Sequence, residues 1–125
     1  MNKELFEKGL AVRRAVVGDA FVDAALKNAD DFSMPMQELV TEFCWGEIWS
    51  RPDLDRRSRS ILNLGMIAAL NRPEELAGHI RGAITNGVTK AEIRECFLQV
   101  AVYVGMPAGL GCFKVARQVF ADLGI

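Results

Sequence analysis

The stretch RPEELAGHIRGAITNG, from Arg72 to Gly87, constrains the fold more than any other part of the chain, because both of its ends are spelled out. Pro73 suits the first helical position, where a missing N–H costs nothing. Glu74 and Glu75 sit at the positive end of the helix dipole, and Asn86-Gly87 supplies a left-handed stop. The spacing predicts a helix of about three and a half turns. On it Leu76, Ile80, Ala83 and Ile84 form one apolar stripe. His79, the single histidine of the chain, falls on the edge of that stripe, one turn after Glu75.

The rest of the chain is punctuated in the same way. Asn2 to Val17 carries Leu5, Phe6, Leu10, Val12, Val16 and Val17 between lysines and arginines and stops at Gly18, and Asp19 caps a shorter helix through Leu26. Ser33 caps a third helix with Pro35 in its first turn. Arg51-Pro52 ends it, since the residue before a proline avoids the helical region, and Asp55 caps a helix from Arg56 to Leu70. Thr89-Lys90-Ala91-Glu92 is a capping box that opens a helix to about Val104, and Pro107 starts a last one through Phe120. Seven helical segments without an alternating strand pattern predict an all-α bundle. A length of 125 residues predicts one domain spanning 1–125.

Two of these helices fit a small bundle poorly. In the third, the apolar stripe Met36, Leu39, Val40, Phe43 continues into Glu47, which sets a carboxylate where the core would go on. Trp45 and Trp49 stack on nearly the opposite side. The helix from Arg56 begins with Arg56, Arg57 and Arg59, the wrong sign for its dipole, so an acid such as Glu47, Asp53 or a ligand carboxylate is expected beside it. After that first turn, Ile61 to Leu70 leaves hardly any polar face, and neither does Val100 to Val104, so both are expected to be buried all round. That much apolar surface predicts a homo-oligomer, with the Trp45/Trp49 side or the 61–70 helix at subunit contacts.

Charge excludes several function classes. Fifteen basic residues against 16 acidic ones leave a net charge of −1, so no field attracts nucleic acid or an anionic membrane. The N-terminus MNKELFEKGL lacks a signal core, and polar residues such as Arg59, Asn63 and Asn71 interrupt every apolar run, so a cytoplasmic protein is expected. Cys44, Cys96 and Cys112 have no metal-ligand spacing and suggest buried thiols.

The polar residues set against apolar ground are Glu47, Arg51, Arg59, Glu75, His79 and Tyr103. Arginines beside aromatics suit a small organic carboxylate, which the guanidinium fork holds in two places while flat walls exclude water. His79 is the acid/base candidate, with Glu75 expected to orient it and favour its charged form. Each has a plainer reading: His79 as a boundary histidine, Glu47 with Arg51 or Arg59 as an ion pair between helices, Tyr103 as core filling.

WGEIWSRPDL followed by RSRS, then EELAGHIRGAITNGVTKAEIRE, then VYVGMPAG, closely resembles γ-carboxymuconolactone decarboxylase over nearly the whole chain. The resemblance implies the helical fold shared with alkylhydroperoxidase D, a hexamer built as a trimer of dimers, and a step in protocatechuate breakdown by the β-ketoadipate route. The peroxidase branch of that superfamily carries a C-x-x-C pair ahead of the histidine. Here those places are Arg72 and Glu75, which removes the disulfide cycle.

The implied substrate is an unsaturated dicarboxylate lactone that acts as its own electron sink, so no cofactor and no metal are expected. In this picture Arg51 and Arg59 hold carboxylate, Trp45 or Trp49 walls the site with Tyr103 beside it, and His79, set by Glu75 or Glu47, protonates the ring carbon next to the carbonyl. Gly111 and Lys114 stand where some relatives carry histidines, which leaves the exact lactone open. The alternatives are a related lactone or keto acid handled by an isomerase or hydrolase, and a non-catalytic oligomeric module.

Overall fold

The computed structural model describes residues 1–125, which divide into two compact units, Met1–Asp55 and Arg56–Ile125. All regular structure is helical. The first unit contains α1 (Lys3–Val17), α2 (Asp19–Lys27) and α3 (Met34–Leu39), which runs directly into a π-helix (Val40–Ile48). The second contains α4 (Arg56–Leu70), α5 (Pro73–Thr85), α6 (Lys90–Tyr103) and α7 (Met106–Leu123).

In the first unit, Asn2 caps α1 by accepting the Leu5 N–H at 3.0 Å, and Gly18 at φ +94° ends it. Gly18 rather than Asp19 holds the cap position of α2; the Asp19 carboxylate pairs with Arg14 instead. Ser33 likewise does not cap α3 with its side chain, because its hydroxyl is engaged with Asp30 in a reciprocal turn. The larger departure lies beyond Leu39. There each backbone N–H reaches one residue further back, as in the 2.9 Å bond from Trp49 to Cys44, and the 3.6-residue repeat no longer applies.

Of the expected stripe only Val40 packs inward: Met36, Leu39 and Phe43 are exposed, and Glu47 faces solvent rather than core. Trp45 and Trp49, 4 % and 5 % exposed, carry the core instead, with Val12, Val16, Val17, Val40 and Cys44 around them.

What holds the π-helix is α1. A Cβ on Gly9 would stand 1.9 Å from the Thr41 carbonyl oxygen, and one on Gly46 would stand 2.7 Å from that of Leu5, so the two backbones touch. One turn further along α1, Arg13 is 5 % exposed and donates to Gln37 Oε1 at 2.9 Å and Thr41 Oγ1 at 3.3 Å. Both of these partners are neutral, its Nε has none, and burial lowers its pKa, opposed by the nearby Cys44. Sequence reasoning passed over Arg13 because nothing local marks an arginine whose partners lie more than twenty residues away.

In the second unit α4 packs on α5 and α6, and α7 on α4, α5 and α6. Leu64, Leu76, Ile80, Ile93, Phe97 and Val119 form its core. The sequence signals around α5 hold: Pro73 opens it, Leu76, Ile80 and Ala83 are buried, and Gly87 at φ +90° follows its end. The capping box at Thr89 and Glu92 is present in both directions.

Two expectations fail in this unit. α4 buries only the stripe Ser60, Leu64, Ala68 and leaves Leu62, Met66 and Leu70 outward, and α6 leaves Val102, Tyr103 and Val104 outward, because four helices cover one face of each. The arginine-rich first turn of α4 meets Glu92 of the capping box through Arg57, not Glu47 or Asp53.

Arg57 donates to the Glu92 carboxylate, and together with the Thr89 backbone N–H this pulls the Glu92 pKa down from 4.5 to about 2. A carboxyl lowered on folding adds stability above its unfolded pKa that disappears as pH falls through the folded one. Urea midpoints are therefore expected to decline between pH 4.5 and about 2, with a shallower decline in Glu92→Gln.

Candidate active site

His79 projects from the edge of the buried stripe of α5 and is half-buried. Its Nδ1 lies 3.4 Å from the carboxamide nitrogen of Asn63 on α4. Asn63 is the one polar side chain between Ile61 and Leu70. Arg59, half-buried, sits one turn before it and so shares the face of α4 that meets His79. Glu75 is exposed one turn before His79. The second unit thus groups Arg59, Asn63, Glu75 and His79. Asn63 was missed in the sequence, although a lone amide inside an apolar helix was the available signal.

The electrostatics reverse one expectation. Burial pushes the His79 imidazole below its ordinary 6.5, and the Glu75 carboxylate only opposes this, so the neutral form prevails at pH 7. A histidine whose pKa is lowered on folding destabilises the fold as it takes up its proton. Stability is complete above pH 6.5 and declines as pH falls through the lower folded value, because the unfolded chain binds that proton first. Urea melts at pH 7 and pH 5.5 are expected to differ in this direction, and by less in a variant without the imidazole.

The remaining candidates lie elsewhere. Tyr103 is not core filling: it is 82 % exposed and lines a groove of about 340 Å³ between α4 and α6, beside Leu62, Gly65, Cys96 and Gln99. Trp45, Glu47, Trp49 and Arg51 belong to the first unit. There the two indoles stack at 4.7 Å between ring centroids with 32° between their planes, while Glu47 and Arg51 are exposed. Of the arginines, Arg57 is committed to Glu92, Arg56 is exposed, and Arg59 is half-buried one turn before Asn63.

Gly111 and Lys114 are exposed on α7, Gly111 beside a cleft of about 100 Å³ near Arg72 and Pro73. No three His, Cys, Asp or Glu side chains gather as metal ligands, and no helix is long and apolar enough to cross a membrane. The three cysteines are free thiols whose pKa values burial raises.

The chain is similar to known proteins over nearly its whole length. Residues 35–118 match the model of the carboxymuconolactone decarboxylase family. The chain is 46 % identical over 98 % of its length to a nitrosuccinic acid decarboxylase of Metarhizium robertsii, covering 86 % of that protein. It is 40 % identical over 99 % of its length to the 4-carboxymuconolactone decarboxylase of Acinetobacter baylyi, covering 92 % of it. A shorter match, 42 % identical over 46 residues, links it to the 4-carboxymuconolactone decarboxylase of Pseudomonas putida. With the family model spanning most of the chain and full-length relatives that are decarboxylases, this protein belongs to the carboxymuconolactone decarboxylase family.

Proposed function

We propose that this protein is a carboxy-lyase that works without a cofactor on a small dicarboxylate carrying its own electron acceptor, with γ-carboxymuconolactone as the substrate and the β-ketoadipate enol-lactone as the product. The observation that carries the proposal is the contact of Asn63 on α4 with His79 on α5, which orients an imidazole, with Arg59 one turn before Asn63 as a cation for a carboxylate. Loss of CO2 from the lactone moves the bonding pair through the ring double bond onto the carbonyl oxygen. The substrate supplies the sink, and the protein has to orient the dianion, exclude water and bring an N–H to the acceptor half. His79 brings that N–H and Arg59 holds carboxylate. Glu75, exposed one turn before His79, completes the proposed site within the second unit.

The 46 % relative favours a second substrate. Nitrosuccinic acid and carboxymuconolactone share a succinate skeleton with an electron-withdrawing group on a carbon that bears a carboxylate, so one site chemistry serves both. Self-association, in the hexamer that the resemblance implies, belongs to the same reading and is supported by the outward apolar row Leu62, Met66 and Leu70. The deciding assay incubates the purified protein with each compound and follows CO2 and product by NMR. CO2 with retention of the lactone ring is expected from carboxymuconolactone; ring opening without CO2 would instead indicate a hydrolase.

A further inference from the structure

We propose that Asn63 is a positioning residue that holds His79 as the Nε2–H tautomer, and that His79 works as a neutral hydrogen-bond donor to the acceptor oxygen of the substrate. This rests on the reading of His79 as the group that meets the acceptor half. The carboxamide nitrogen of Asn63 faces Nδ1 at 3.4 Å. An amide N–H only donates, so Nδ1 accepts, and a neutral imidazole that accepts at Nδ1 keeps its proton at Nε2. The same contact disfavours the imidazolium, whose Nδ1–H would point at another donor.

Burial acts in the same direction. The charged group that acts on the ring is Glu75 on α5, and Arg59 lies one turn before Asn63 on α4. α7, the other helix packed on α5, turns Cys112, Ala116 and Val119 inward and keeps Lys114 and Arg117 at the surface.

A neutral donor changes the chemistry assigned to this histidine. The bond to the departing carboxylate breaks, its electron pair forms a new double bond, and the displaced pair settles on the acceptor oxygen. The Nε2–H bonds to that oxygen as its charge develops. Water then gives a proton to carbon, leaving hydroxide, and the charge on oxygen collapses. A lactone carbonyl and a nitro group place an anionic oxygen at the same stage, so one N–H serves both, which a proton donor aimed at a particular carbon would not. A neutral imidazole used in this way has a lowered pKa and a fixed tautomer.

The chain has one histidine, so ¹⁵N NMR of the ring reports this residue without ambiguity. At pH 7.5 the Nε2–H tautomer is expected; an Nδ1–H ring would overturn the proposal. With carboxymuconolactone or nitrosuccinate, kcat/KM is expected to rise with pH through the pKa measured for the ring and then level off, whereas a fall through that pKa would mean that the imidazolium is the working form. Asn63→Asp, which offers only acceptors, is expected to switch the ring to Nδ1–H and lower kcat about ten- to a hundredfold, and Asn63→Leu to mix the tautomers. A loss of activity in His79→Leu with none in Asn63→Asp overturns the positioning role alone. Full activity in both variants overturns the reading of His79 on which it rests.

Discussion

His79→Leu is expected to lower kcat for decarboxylation by about 10² to 10³, the usual cost of removing one well-placed donor to a developing oxyanion, with KM changed far less. The asymmetry follows from when the charge appears. In the proposed reaction the carboxylate that is retained carries its charge throughout and is met by arginine, whereas the acceptor oxygen becomes anionic only as CO2 departs. Leucine fills a similar volume and carries no donor.

Its effect on the fold is smaller, because Asn63 is half-buried and retains access to water, so the stability cost is about 1 kcal/mol at most. Circular dichroism and a urea melt separate the two effects. A folded His79→Leu protein with unaltered turnover would remove the histidine from the mechanism.

Gly9→Ala is expected to give the largest loss of stability of any single methyl addition, on the order of 3 kcal/mol. The new carbon would stand 1.9 Å from the Thr41 carbonyl oxygen and 2.8 Å from the Gly46 nitrogen. Both are backbone atoms, which no rotamer change can clear, so α1 and the π-helix have to separate and lose the contacts around Trp45 and Trp49. Gly65→Ala is the internal control. It lies in the middle of α4 with nothing within 4 Å of the added carbon, and it should stabilise by roughly 0.5–1 kcal/mol through helix propensity alone. Urea midpoints measure both. Equal midpoints for Gly9→Ala and wild type would refute the backbone contact.

The two units differ in how openly the sequence announces them. In the second, each helix end has a local chemical cause, such as Pro73, Gly87 or the Thr89/Glu92 box, and the inward positions of α5 follow from the 3.6-residue repeat. His79 could be placed for the same reason. In the first unit the stripe already fails in α3, where Met36 and Leu39 are exposed, and the repeat itself changes at Val40, so a 3.6-residue projection sends Glu47 inward and the indoles outward, the reverse of what is found.

Arg13 and Asn63 share another kind of obscurity. Their surroundings are set by residues on a different helix, and neither leaves a trace in its own neighbourhood beyond an unexpected polarity. The outward rows of α4 and α6 show that an apolar segment specifies what it avoids, which is water, but not which surface hides it.

The two tryptophans both lie within the first 55 residues, while the single histidine and single tyrosine lie beyond them. Indole emission therefore watches one half of this molecule, and imidazole and phenol resonances watch the other. Melting curves followed by each will coincide only where the halves unfold together, so cooperativity between them can be measured with no label attached.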